Sequence, residues 1–153
     1  MTDDDAIVHE VVYAHPPGRV WRALTDSAAL ADWLMPNDFL PQVGHWFTFR
    51  AEPQPGFSGI VRCEVLELSE PKRIAWSWQG DPPMPVTTVT FTLEPVGDGT
   101  RLRLEHAGFA AGGELGLTIR DILGQGWGSK LLREALPDLL GRMAAAEAGE
   151  ERR

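Results

Sequence analysis

His106 is the residue whose type and position best suit a chemical role. It alternates with Arg103 and Glu105 along a strand-like segment and shares a face with Leu102 and Leu104. Side chains on a strand alternate between its two faces, so the imidazole is expected to point inward. Histidine titrates near neutral pH, which suits a hydrogen bond to a ligand or proton transfer. The structural alternative is a histidine at the rim of the core that pairs with a backbone group.

Paired catalytic groups are absent from the neighbourhood of this histidine. Glu105 is expected on the opposite face of the strand and cannot orient His106 directly. Glu64 and Glu67 are three positions apart, which predicts opposite faces of a regular strand and a solvated surface role. Ser77 and Ser129 have no adjacent base and no nucleophile-elbow motif. The sequence therefore favours a protein that binds rather than catalyses.

Metal and cofactor sites receive no support from the sequence. The single cysteine, Cys63, stands alone, and no two histidines have close metal-ligand spacing among His9, His15, His45 and His106. The glycine-rich run 124–130 ends in Gly-Ser-Lys, whereas a phosphate loop requires Gly-Lys-Ser or Gly-Lys-Thr. We therefore expect neither a metal nor a cofactor.

Six tryptophans are the most unusual feature of the composition. A face that carries several aromatic side chains is typical either of a hydrophobic core or of a cavity for a flat or apolar ligand. The alternation of residues along the strands and the spacing of residues along the helices place many of these aromatic side chains on inward faces. The predicted ligand-binding residues are Trp33, Phe47, Phe49, Trp76, Trp78, Phe91, Leu104, His106, Trp127 and Leu131. Trp46 alternates with Phe47 and is expected to point outward, either as a contact surface or under a loop.

Hydrophobic periodicity predicts the elements that position these residues. Residues 7–14 form a strand, and two short helices follow before Pro36. Five or so strands with period-two alternation come next, and residues 127–143 form a long helix with an apolar stripe. Pro137 removes one hydrogen bond from this helix and is expected to kink it.

The order of elements predicts an α+β fold in which a curved antiparallel sheet wraps around the C-terminal helix. The sheet needs cover for its apolar face, and the long helix is the one element large enough to provide it. The two short helices then close one end. The chain is expected to form a single domain over residues 1–153, with its core at about 7–143 and flexible ends.

Four parts of the chain contain distinctive motifs: the segment HPPGRVWRALTDSAALADWLMP, Gly44–Phe49, Glu64–Trp76 and the Gly126-Trp127 pair. Together they resemble the Aha-type branch of the START-related helix-grip superfamily, the homologues of the activator of heat-shock-protein ATPase. The resemblance extends from about residue 7 to residue 143. It implies the helix-grip fold. The superfamily includes lipid carriers, polyketide cyclases and co-chaperone domains, so the resemblance alone leaves the function open.

Three functions follow from these observations. The leading one is non-catalytic binding of a small hydrophobic or aromatic molecule. The resemblance and outward Trp46 favour a co-chaperone-type interaction module, with a chaperone as partner in the stress response. A cyclase or hydrolase that uses His106 is the third.

Charge and composition limit the partners and the location. The formal net charge of −8 argues against nucleic acid and acidic membrane surfaces. The lone cysteine and the acidic N-terminus predict a cytoplasmic protein. Both a monomer and a homodimer fit the sequence.

Overall fold

One sheet of six antiparallel strands forms the centre of the fold. The computed structural model describes residues 6–55, 58–81 and 84–151. The strand order is β1-β6-β5-β4-β3-β2. The strands are β1 (Ile7–Tyr13), β2 (Trp46–Arg50), β3 (Ile60–Ser69), β4 (Arg73–Trp78), β5 (Thr87–Val96) and β6 (Gly99–Ala107). Buried apolar residues alternate with more exposed ones along most strands, as expected for a sheet with one covered face.

Two short helices follow β1, as predicted. They are α1 (Pro17–Thr25) and α2 (Ser27–Trp33). Proline suits the first turn of α1, because an N–H at that position has no helical partner to lose. Asp26 separates the helices and caps α2, since its carboxylate accepts a hydrogen bond from the Ala29 N–H at 3.0 Å. The inner faces of both helices close one end of the sheet.

A long helical segment covers the inner face of the sheet. It starts with a 3₁₀ turn, Phe109–Gly112, and the chain changes direction at Gly113, where φ is +65°. The parts that follow without a break are α3 (Gly113–Gln125), a π-helical segment (Gly126–Ala135) and α4 (Leu136–Glu151). The predicted apolar stripe is buried at Trp127, Leu132, Leu136 and Leu140. This arrangement confirms the predicted α+β helix-grip fold. In the described ranges, no helix is long and apolar enough to cross a membrane.

Pro137 lies just after the point where the helix changes from the π-helical segment to α4. The Leu136 N–H donates to the Leu131 carbonyl five residues earlier, which is the π-helical pattern. The same pattern would pair the Leu132 carbonyl with Pro137, but proline has no N–H. The hydroxyl of Tyr13 on β1 donates to the Leu132 carbonyl instead, at 2.5 Å. The buried acceptor thus keeps a partner, and β1 is tied to the helix.

Charged side chains join α4 to the two short helices. Glu147 accepts hydrogen bonds from Arg19 and Arg22 of α1. Arg142 binds Asp32 of α2 through both terminal nitrogens, at 2.6 and 2.9 Å. These pairs are partly exposed, so their main effect is to orient α4 rather than to add much stability.

A β-bulge in β3 corrects one sequence prediction. Val65 pairs with Trp76, but the next pair joins Glu67 to Ala75, so Leu66 is the extra residue. The extra residue reverses the alternation beyond it, and Glu67 therefore lies on the same outer face as Glu64. The predicted opposite placement of the two carboxylates is wrong, while their solvated position is confirmed by their partial exposure.

We expect Tyr13→Phe to destabilise the protein by about 1–3 kcal/mol, because the Leu132 carbonyl would stay buried without a donor. The free energy of unfolding is measured by urea denaturation. Ser129→Ala is the matched control, since it removes an exposed hydroxyl that bonds to the Gln125 carbonyl and should have little effect. A Tyr13→Phe protein as stable as the control would contradict the proposed role of the hydroxyl.

Candidate functional site

The predicted ligand-binding residues come together between the inner face of the sheet and the helices that cover it. Nine of the ten are buried, and Leu131 is partly buried against the same core. Their rings contact one another, with centroid distances of 5.4 Å for Trp76 and Phe91, 5.7 Å for Trp78 and Trp127, and 5.7 Å for Phe49 and Trp78. These side chains therefore fill most of the space between sheet and helix. Their inward placement is confirmed, and their contact with a ligand stays a prediction.

A cavity lies beside this aromatic cluster, at the end of the sheet where β4 ends and β5 begins. Its volume is about 510 Å³. Trp78 is the one predicted ligand-binding residue among those that line it. The lining residues are Met35, Gln54, Val61, Trp78, Gly80, Asp81, Met84, Pro85, Thr87, Phe109, Ile119, Ile122 and Leu123. Most of these side chains are apolar, so the cavity suits an apolar ligand.

Helix α3 forms one wall of the cavity and packs loosely. Gly116 is its one buried residue, and a Cβ there would lie 2.1 Å from the Phe109 carbonyl oxygen. The glycine therefore lets α3 fold back closely on the preceding 3₁₀ turn. Ile119 and Leu123 are only partly buried, and Ile122 is 61% exposed although it lines the cavity. The apolar side of α3 therefore faces the open space of the cavity, whereas the apolar sides of the other helices pack against the sheet.

His106 is fully buried and both of its ring nitrogens have protein partners. The Trp127 indole N–H donates to Nδ1 at 3.2 Å, so Nδ1 carries no proton. In a neutral ring the proton then sits on Nε2, which donates to the Thr87 hydroxyl at 2.7 Å. That hydroxyl donates in turn to the Trp78 carbonyl at 2.9 Å. The network assigns one neutral tautomer and links β6, β5, β4 and the π-helical segment.

Burial sets the charge state of this histidine. Desolvation lowers the pKa of His106 to about 3, because the low-dielectric interior disfavours the imidazolium. Phe109 also packs against the ring, with centroids 4.5 Å apart, and Phe109 lines the cavity. The imidazole therefore stays neutral at physiological pH and makes its hydrogen bonds to the protein. This geometry does not support the cyclase or hydrolase hypothesis.

A carboxylate at the cavity connects two loops. Asp81 follows β4, and its two oxygens accept from the Ser58 backbone N–H at 2.5 Å and the Ser58 hydroxyl at 2.6 Å. These hydrogen bonds lower the pKa of Asp81, so the group stays ionised at neutral pH. Gln54 and Thr87 are other polar side chains in the lining, and the Thr87 hydroxyl is already bonded within the His106 network.

A metal-binding cluster and a reactive thiol are both lacking in the described part of the chain. No three histidine, cysteine or acidic residues there lie close enough to hold a metal ion. The Cys63 thiol is buried and its pKa is raised by desolvation, so it is a poor nucleophile. The Trp76 indole N–H is buried without a partner among the described residues, yet Trp76 does not line the cavity.

The sequence prediction missed most of the cavity wall. Asp81 was not among the predicted site residues. Helix α3 was not predicted either, because Gly112, Gly113 and Gly116 weaken the helical pattern at its start. A usable signal was present, because Ile119, Ile122 and Leu123 have the spacing of one helical face.

Comparison with known proteins agrees with this fold. The profile of the family described as Activator of Hsp90 ATPase homolog 1-like protein matches residues 14–141. The chain belongs to this family. The predicted resemblance to the Aha-type branch is therefore confirmed. None of the curated proteins compared with the chain matches it.

Solved structures extend the likeness over nearly the whole chain. Protein MLL2253 from Mesorhizobium loti is 36% identical, with a TM-score of 0.78 over 90% of this chain and 97% of that one. BH1534 from Bacillus halodurans is 27% identical, with a TM-score of 0.71 over 92% and 99%. CalU16 from Micromonospora echinospora is 26% identical, with a TM-score of 0.68 over 95% and 79%. This Activator of Hsp90 ATPase homolog 1-like chain thus shares its architecture with proteins of several bacteria.

We expect the His106 network to make stability depend on pH. The pKa is lower in the folded protein than the usual 6.5, so the unfolded chain binds the extra proton as the pH falls below 6.5. The stabilisation is complete above that value and decreases towards pH 3. Between pH 7 and pH 5 the loss from this group is roughly 2 kcal/mol.

The measurement is the free energy of unfolding in urea at several pH values. His106→Gln keeps a donor and an acceptor but does not titrate, so its stability should change less between pH 7 and pH 5. Equal pH slopes for the wild type and the variant would contradict the assignment.

Proposed function

We propose that this protein binds a small hydrophobic or aromatic molecule, without transforming it, in the cavity between α3 and the ends of β3, β4 and β5. The observation that carries the proposal is the cavity of about 510 Å³ with its mainly apolar lining. Burial of apolar surface supplies the driving force. The neutral, fully bonded His106 supports binding over catalysis.

The aromatic cluster beside the cavity gives the proposal a direct readout. Trp78 lines the cavity, and Trp127 lies next to it. A bound aromatic molecule would therefore lie close to at least one indole ring. N-phenyl-1-naphthylamine is a suitable probe, because it is uncharged, aromatic and fluorescent in apolar surroundings.

We expect N-phenyl-1-naphthylamine to bind with increased probe fluorescence and quenched tryptophan fluorescence. Affinity should be nearly independent of salt, because apolar burial is not screened by ions. Val61→Phe narrows the cavity and should weaken binding at least tenfold, or about 1.4 kcal/mol. Val12→Phe is the matched control, since Val12 is 57% exposed on the outer face of β1, and it should bind like the wild type.

Thermal denaturation and circular dichroism verify that both variants fold. If Val61→Phe does not fold, Ile122→Trp narrows the same cavity from α3, where the side chain is 61% exposed. Folded variants that bind as tightly as the wild type would place the probe elsewhere and contradict the proposal.

An interaction surface for another protein is a second candidate function. Trp46 is 65% exposed on β2, and Val43 and Leu66 are exposed nearby. These residues are adjacent because the backbone pairs Gly44 with Val65 and Trp46 with Glu64. An exposed apolar group of this kind is typical of a protein contact. The family takes its name from an activator of Hsp90, so a chaperone of that class is the partner to test.

If this surface binds such a chaperone, Trp46→Ala should reduce the affinity at least tenfold, since exposed tryptophans often dominate protein interfaces. Titration calorimetry with a purified Hsp90-class chaperone measures this effect. Val12→Ala is the control for an exposed apolar residue elsewhere on the sheet. Lack of binding by the wild-type protein would reject the second candidate and leave the cavity proposal unaffected.

A further inference from the structure

Among the described residues, the cavity lining carries a negative charge and no positive charge. Asp81 is the only charged residue among the described residues that line it. Arg62 is the base whose charge acts on Asp81, but it neighbours cavity-lining Val61 on β3 and therefore points to the opposite face of the sheet. An anionic group inside the cavity would have no positive partner in this lining.

We propose that Asp81 makes the cavity selective for neutral or cationic ligands and excludes anionic ones such as fatty-acid carboxylates. This inference rests on the proposed function, and it specifies the chemical class that the same cavity accepts. The apolar lining favours a hydrophobic ligand but does not by itself determine which charge that ligand can carry.

Two physical effects act against an anion in this site. A carboxylate or sulfonate loses its hydration on entering apolar surroundings, and the cost is large when no cation or set of donors replaces the water. The fixed negative charge of Asp81 adds repulsion that weakens with ionic strength. A hydroxyl, an ester or an ammonium group on the same hydrocarbon frame avoids this repulsion.

The hydrogen bonds of Asp81 fix its charge at the site. Ser58 donates to both carboxylate oxygens, which favours the ionised form and holds the carboxylate in one orientation. Each oxygen retains a second lone pair. An ammonium or hydroxyl group on a ligand can therefore still donate to Asp81, so the same residue that repels anions can hold a cationic or neutral polar end.

Matched probes test the selectivity at pH 8 and low ionic strength. N-phenyl-1-naphthylamine and 8-anilinonaphthalene-1-sulfonate share one aromatic frame and differ by the sulfonate. Decanol, decylamine and decanoate share one chain and differ in the charge of the head group. We expect each anion to bind at least tenfold more weakly than its neutral partner. Decylamine should bind at least as tightly as decanol.

Asp81→Asn should strengthen binding of both anions at least threefold relative to binding of their neutral partners. Ser58→Ala keeps the charge of Asp81 while removing one of its hydrogen bonds, so it should preserve the selectivity. Asp98→Asn removes a carboxylate at the β5–β6 turn and controls for net charge. A gain in anion binding for Asp81→Asn alone would support the proposal.

The outcomes separate this inference from the proposed function. If neither N-phenyl-1-naphthylamine nor decanol binds, the proposed function and this inference both fail. If both bind and the anions bind equally well, only the inference fails. It also fails if Ser58→Ala or Asp98→Asn removes the selectivity as fully as Asp81→Asn, because the effect would then come from loop structure or from overall charge.

Discussion

One neutral imidazole joins the sheet to the long helix. His106 accepts from Trp127 and donates to Thr87, which donates onward to the Trp78 carbonyl. A buried polar ring is tolerated only when its hydrogen bonds are made, so the relative positions of these elements are fixed by the same bonds that satisfy the ring. Trp78 and Trp127 are thereby held in contact, and the aromatic core forms around them. The arrangement also withdraws His106 from proton transfer, because both ring nitrogens are already bonded within the protein.

Alternation along the strands and the helical stripe were sufficient to predict the fold and the inward faces. They did not distinguish a filled core from an open cavity, because both occupy the same face. That distinction depends on how completely the side-chain volumes fill the interior. Trp76 contacts Phe91, and Trp78 contacts Trp127, so closely that neither pair leaves room for a ligand between its two rings. The open space forms at the strand ends, where α3 is set by the close approach of Gly116 to Phe109. No periodic pattern encodes such a contact.

Contacts between residues far apart in the sequence, and one local irregularity, account for the other differences between the sequence predictions and the structure. The hydrogen-bond partners of His106 are 19 and 21 residues away in the sequence, so a local reading can place the ring inside but cannot show that it is satisfied. The bulge after Val65 is also invisible to a count of alternating residues, and it reverses the face of Glu67. Pro137 predicts one lost helical hydrogen bond, but its position cannot show that the Leu132 carbonyl is bonded by Tyr13, more than a hundred residues away.

The loosely packed wall of the cavity would link the proposed ligand binding to folding. Ile119 and Leu123 point towards space that the chain itself does not fill, and loosely packed apolar groups forgo contacts that a denser interior would make. A molecule in the cavity would supply those contacts only in the folded protein, so it would stabilise the fold in proportion to its occupancy. The gain would concentrate on α3, because the aromatic core behind Trp78 is already packed. The closely packed aromatic core therefore borders the cavity on one side at Trp78, and the loosely packed α3 borders it on another.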